Sequence, residues 1–216
     1  MDKLRVLKEG GKDTKIFGAV GEIGDVHQFC DFVERNIYLY NLVRPIAAPS
    51  PPMPRAQCLA LNGIACAQKN GFGLSTHATA SFVRRELATA LRKGPYSVNM
   101  LIAGCDSPGE GEVAAGADAS SAEPALYWMD YLGACRKVPF GAHGYCGYFI
   151  MSTFDRYYRE GLNLDEALEI CRKCIAEIKF RFMVDVGDFI AKVVTKDGVR
   201  EVSLSGGGGD AMDTAP

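Results

Sequence analysis

Any chemistry in this chain has to be built from three histidines, eight cysteines and the carboxylates near them. Cys171-x-x-Cys174 has the spacing of a redox pair or of half a zinc site. Both cysteines fall on the apolar stripe of a predicted helix, however, and no second Cys or His pair stands at ligand spacing, so core packing is the expected role. His27, His77 and His143 are scattered. His143, between Ala142 and Gly144 at a predicted corner, is the most informative of them, and a structural hydrogen bond is its expected use. The run Gly141-Ala-His-Gly-Tyr-Cys-Gly147 precedes a helix, where an anion could be cradled, but it matches no phosphate-loop spacing. Asp130 and Asp155-Arg156 could act as acid or base groups; surface or intersubunit ion pairs are the simpler use. Taken residue by residue, these groups assemble no catalytic site, no metal site and no cofactor site.

The elements that would position these groups are plain in the pattern. Leu126, Trp128 and Asp130 alternate with Tyr127, Met129 and Tyr131, which predicts a strand. A turn at Leu132-Gly133 leads to a second strand over 135–140. From Gly147 the period changes: Gly147, Met151, Phe154 and Tyr158 fall four, three and four apart, with Ile150 and Tyr157 on the opposite side. A helix apolar nearly all round should be buried on several sides, in the middle of a layered fold. Ahead of it, strands are expected over 4–7 and 15–20 around a Gly10-Gly11 break, then a helix from Asp25 to about Leu42 with Asp25 and Gln28 as capping box. A second helix, capped by Ser75 or Thr76, carries Val83, Leu87, Ala90 and Leu91 inward and ends by Gly94-Pro95. The strand over 96–105 has two apolar faces, so it should be central, with material on each side. Residues 106–123 read as a flexible Gly/Ala/Ser loop.

After Gly161, Asn163 and Glu166 form a capping-box pattern, and Leu164, Leu168, Cys171, Cys174, Ile175, Ile178 and Phe182 make the stripe of a fourth helix. Strands over 189–195 and 199–204 are joined at Lys196-Asp197-Gly198, where Asp-Gly suits a hairpin. Residues 205–216 read as a disordered tail. The order of elements predicts an α+β fold of antiparallel sheets with helices in pairs.

One stretch breaks the pattern. Val43 to Gln68 holds five of the ten prolines and no periodicity. It reads as a disordered surface loop or as a retained intron, since valine codons begin with GT and a glutamine codon is CAG, the borders of an intron. Without it Leu42 meets Lys69-Asn70-Gly71 in an ordinary helix-to-helix turn.

Composition excludes several classes. A net charge of −2 and a pI near 6.0 leave no basic stripe for nucleic acid or anionic membrane. No apolar run approaches a bilayer span, and no signal-type core follows Met1. Eight cysteines in 216 residues are too sparse for a disulfide scaffold and sit in apolar segments, as reduced thiols of the cytosol or nucleus do. The length suits a single domain over 1–204.

Five separated motifs carry a further signal: Val20-Gly-Glu-Ile-Gly-Asp25, Pro95-Tyr-Ser-Val-Asn-Met-Leu-Ile-Ala-Gly104, Met129-Asp-Tyr-Leu132, Pro139-Phe-Gly-Ala-His-Gly-Tyr145 and Asp155-Arg-Tyr-Tyr158. In order and spacing the chain resembles the proteasome beta-subunit family (peptidase family T1B), its type-2 branch in particular, from about Asp2 to Leu204 with 43–68 skipped and the loop after Asp106 blurred. The resemblance implies the four-layer αββα sandwich of N-terminal-nucleophile hydrolases, with the family's first strands apparently missing ahead of Met1. It implies partners too: other alpha and beta subunits of the 20S core, in a particle of four stacked seven-membered rings. Protein substrates would be held in its chamber, and neither cofactor nor metal is involved.

The resemblance also bears on catalysis. Active members attack the peptide carbonyl with an N-terminal threonine, its own amine or a nearby lysine serving as base. They carry Gly-Ser-Gly-Ser before the central helix and Arg-Asp-x-x-Ser-Gly-Gly after the fourth. The matching residues here are Gly144-Tyr145-Cys146-Gly147 and Arg181-Phe182-Met183-Val184-Asp185-Val186-Gly187. Tyr145 replaces the first supporting serine, Phe182 the aspartate and Asp185 the last serine. Nothing in the chain matches the threonine, its supporting aspartate or the lysine. A non-catalytic structural subunit is therefore expected. The alternative is an active threonine protease whose first exon is absent from the sequence, and a free-standing Cys-based redox or metal protein ranks last.

Overall fold

The computed structural model describes residues 3–7, 14–42, 74–106, 123–183, 187 and 189–204. They fall into two compact units, one of 1–144 with 194–199 and the other of 145–193 with 200–216.

The first unit is built on a five-stranded antiparallel sheet in the order β1 (Leu4–Leu7), β2 (Lys15–Gly21), β3 (Val98–Asp106), β4 (Glu123–Met129), β5 (Cys135–Lys137). Register follows the period-2 pattern, with Phe17 opposite Ile102 and Ile102 opposite Tyr127. Phe17, Ala19, Val98, Met100, Ile102, Tyr127 and Met129 all point to one face and are buried. Two helices cover that face. From α1 (Ile23–Leu42) Val26, Phe29, Cys30, Val33 and Ile37 reach it, and from α2 (Thr76–Ala90) Ala80, Val83 and Leu87. The three- and four-residue spacing of these positions is why both segments are helical and amphipathic. Phe32 of α1 and Phe82 of α2 meet with ring centroids 6.4 Å apart. On the other face Val20, Leu101, Ala103, Leu126 and Trp128 are half-buried.

Local chemistry sets the element ends, and two differ from the sequence pattern. Helix α1 starts at Ile23, so Asp25 is no cap; its Oδ2 accepts instead from the backbone N–H of Ser97 at 2.8 Å. A long-range acceptor role outcompeted the local one. Strand β5 is three residues, not six: it ends at Lys137, after which the N–H of Val138 bonds the Leu126 carbonyl. Ser75 caps α2 through Ala78 N–H at 3.1 Å, as expected. Gly133 takes the turn between β4 and β5 at φ +79°, a conformation that favours glycine.

The second unit pairs α3 (Gly147–Tyr157) with α4 (Leu164–Arg181). Asn163 and Glu166 close the predicted capping box at 2.9 and 3.0 Å, and Glu166 also pairs with Arg159. Ile170, Cys174 and Ile178 are buried on α4. Helix α3 is not buried on several sides: only Gly147 and Thr153 are buried, and Tyr148 is 88% exposed. Aromatic residues gave the pattern its all-round apolarity, and aromatic rings with polar tips tolerate solvent. Strands β6 (Ile190–Thr195) and β7 (Gly198–Ser203) form a separate two-stranded sheet, closed at Gly198 with φ +139°. The expectations for 43–68, Gly10-Gly11, the interior of the 106–123 loop, Asp185 and the tail from Ser205 concern residues outside those described.

Candidate functional site

The corner that follows β5 packs closely on the half-buried face of the sheet. A Cβ on Gly141 would stand 3.2 Å from Leu101 Cδ2 and from Trp128 Cδ1, so only glycine fits comfortably against the half-buried sheet face. The His143 ring stacks on Trp128 with centroids 4.9 Å apart and planes at 23°. Its Nε2 donates to the Met100 carbonyl at 3.1 Å, which leaves Nδ1 without a proton in the neutral ring. Burial lowers the imidazole's pKa from 6.5, against the opposing pull of the Met100 and Met129 carbonyls and of Asp130. Gly144 then turns at φ +88°. The expected structural hydrogen bond of His143 is therefore present.

In the second unit, Tyr145 is 93% exposed just before α3. Phe182, at the C-cap of α4, sets its ring edge-on against Phe149 with centroids 5.9 Å apart, and the Arg181 guanidinium lies 5.3 Å from the centre of the Phe149 ring. The end of the α3/α4 pair is thus aromatic, with Tyr148, Phe180 and Met183 exposed around it. Such an arrangement packs and stacks. The Phe182 ring carries no group that could accept a hydrogen bond from an amine as a carboxylate would.

The remaining candidates separate. Cys174 is buried and its thiol is pushed up to about 11 by desolvation, with Cys171 raised for the same reason. Both are free thiols, and the upward shift disfavours the reactive thiolate in each. Among the described residues no group of three His, Cys, Asp or Glu side chains could hold a metal ion. His27 is exposed on α1; His77 faces the Tyr127 hydroxyl at 3.2 Å. Asp155 is exposed on α3, and Arg156 lies over the Tyr157 ring at 5.4 Å. Asp130 is a turn former, accepting from the N–H groups of Leu132 and Ala134. An open cleft of about 340 Å³ between β1 and α1 is lined by Val6, Leu7, Glu34, Arg35, Ile37 and Tyr38. Beside it Arg5 pairs with Asp31 and Glu34 at 2.6 and 3.3 Å.

One polar cluster escaped the sequence pattern. Lys15 is fully buried, and its Nζ lies 3.7 Å from Asp106 Oδ1. The Asp106 carboxylate also accepts from Thr76 N–H at 2.9 and 3.0 Å and from Thr76 Oγ1 at 2.8 Å, which ties the end of β3 to the first turn of α2. Its members are too far apart in the chain for any local signal to group them.

Comparison with known proteins places these features in a lineage. Residues 65–194 match the family model described as Proteasome subunit. The chain is 41% identical over 200 residues to proteasome subunit beta type-2-B of Arabidopsis thaliana, covering 93% of this chain and 79% of that protein. It is 38% identical over 200 residues to proteasome subunit beta type-2 of Oryza sativa subsp. japonica, covering 93% and 74%. To a probable proteasome subunit beta type-4 of Schizosaccharomyces pombe it is 36% identical over 208 residues, covering 93% and 88%.

Proposed function

This chain belongs to the proteasome beta-subunit family, and on that premise we propose that it serves the 20S core as a non-catalytic, structural member of the beta ring. Its fold is of the N-terminal-nucleophile hydrolase type, an α+β sandwich of antiparallel sheets and helices. As a proteasome beta subunit it takes part in protein degradation, assembled with the other alpha and beta subunits of the core particle. Its own contribution in this reading is to complete the ring, position active neighbours and help wall the chamber that holds protein substrates. It works without cofactor or metal, in the cytosol and nucleus; the free, buried thiols of Cys30, Cys105 and Cys174 suit a reducing compartment.

The observation that carries the non-catalytic part is Phe182. Active members have an aspartate at the matching position, where a carboxylate orients the nucleophile's amine; here a phenyl ring packs edge-on against Phe149 under the Arg181 guanidinium. Tyr145, where a supporting serine is expected, supports the same reading. Threonine chemistry needs a nucleophile and base held in place by hydrogen bonds, and the phenyl ring of Phe182 offers none.

The experiment is recovery of the native chain from its source by size exclusion, with intact mass and N-terminal sequencing. Co-elution with the other alpha and beta subunits and an N-terminus other than threonine are expected. A mature N-terminal threonine in that particle would support the alternative, an active protease subunit. Recovery as a lone chain would overturn the ring assignment itself.

A further inference from the structure

Strand β1 is an edge of the five-stranded sheet, paired among the described residues with β2 alone. The hydrogen bonds of β2 fix which way the backbone of β1 faces. Thr14 O accepts from Cys105 N–H and Glu22 N–H donates to Ser97 O, each at 3.1 Å, so even-numbered residues from 14 to 22 turn to β3. Ala19 N–H donates to Lys3 O at 3.4 Å, so the odd-numbered residues of β2 turn to β1. In this alternation Arg5 and Leu7 face Phe17 and Lys15 as bonded pairs, and the N–H and C=O of Val6, opposite Ile16, point out of the sheet.

The open cleft of about 340 Å³ lies along this edge, with Val6 and Leu7 of β1 on one wall and Ile37 and Tyr38 of α1 on the other. Its volume is at the small end for a ligand pocket and suits a side chain better than a cofactor. Charge at its lip is unevenly matched. Arg5 is taken by Asp31 at 2.6 Å and Glu34 at 3.3 Å, whereas Arg35, exposed one turn on from Asp31, makes no ion pair among the described residues.

From this juxtaposition of open backbone, apolar cleft and unmatched cation we propose that β1 takes up an extended segment of another polypeptide. The segment's backbone pairs with Val6, one of its apolar side chains fills the cleft, and a carboxylate two residues along meets Arg35. Side chains two apart on a strand share a face, which lets one apolar and one acidic residue at that spacing reach both features. A basic segment would be repelled by Arg35. A four-residue edge is short enough to resist indiscriminate pairing, so the cleft and Arg35 supply the selectivity. The inference concerns the surface of the first unit alone and stands whether or not the chain is catalytically silent.

Photo-crosslinking tests this on the full chain in cells of its source. Tyr38→p-benzoylphenylalanine puts the photoreactive group on the wall of the cleft; the assembly is purified and irradiated, and the attached peptide is sequenced by mass spectrometry. The adduct is expected on a peptide of a different polypeptide in which an apolar residue stands two positions from an Asp or Glu. Arg35→Glu, at an exposed position on which the fold does not depend, should lower the yield per recovered chain roughly tenfold. Val6→Pro, which removes the N–H facing out of the sheet and no bond to β2, should lower it as well. No adduct, an adduct on a peptide without that residue pair, or a yield unmoved by either variant overturns the proposal.

Discussion

Removing the carboxylate of Asp106 should reveal how much of the first unit depends on one buried polar cluster. In Asp106→Ala the first turn of α2 loses the acceptor for Thr76 N–H and Thr76 Oγ1, a cap worth about 1 kcal/mol. Lys15, fully buried, loses the carboxylate 3.7 Å from its Nζ. Removing one partner of a buried charge costs up to about 3–5 kcal/mol, and the 25% exposure of the Asp106 side chain, together with the further interaction Lys15 makes, points to the low end. The sum is about 4 kcal/mol, and with a urea slope of about 2 kcal/mol/M the unfolding midpoint should fall by about 2 M. Far-UV circular dichroism across a urea series measures it. Asp106→Ala combined with Lys15→Met should recover all but the cap, because the buried charge goes with its partner. A loss of no more than about 1 kcal/mol in the single variant, or no recovery in the double, would refute the reasoning.

Other outcomes follow from the same structure. Gly104→Ala would place a Cβ 2.1 Å from Thr76 Oγ1 and 3.0 Å from Lys15 Cγ, and should destabilise by about 1–3 kcal/mol in the same urea assay. Phe29→Ala, at a fully buried core position, should cost about 3–5 kcal/mol and lower the melting temperature accordingly. Cys174, with its thiol raised from 9.0 to about 11, should react with a thiol reagent at pH 8 roughly a hundredfold more slowly than an ordinary cysteine; rapid modification would revive the redox reading. Transcript sequencing should return a message in which Leu42 is joined directly to Lys69, and exclusive recovery of messages containing codons 43–68 would show the segment to be a true insertion.

The parts of the fold set by short-range pattern were legible in the sequence. The two faces of β3, the stripes of α1 and α2 and the Asn163–Glu166 box all came from periodicity and capping chemistry, which act within a few residues. Where a distant group competed, the pattern misled. Asp25 looks like a cap because it stands before an apolar period, yet Ser97 N–H claims it. The turn at Leu132-Gly133 suggested a six-residue strand after it, while the edge pairing ends at Lys137. The period of α3 is right and its burial is not, since period reports which residues share a face and not whether anything covers it. Of the candidate site, the bond to His143 was expected, though its acceptor, the Met100 carbonyl, was not. The meaning of Tyr145 and Phe182 came from resemblance alone, because an aromatic residue carries no local sign of the carboxylate or hydroxyl found elsewhere at its position.

The central claim, a ring subunit without catalysis of its own, is tested most directly by an electrophilic probe directed at N-terminal threonine nucleophiles. Particles purified from the source are treated with a peptide epoxyketone, and each subunit is then weighed by intact-mass spectrometry. This chain should keep its unmodified mass while active subunits of the same particles gain the mass of the probe. A stoichiometric adduct on this chain, mapped to an N-terminal threonine, would contradict the account.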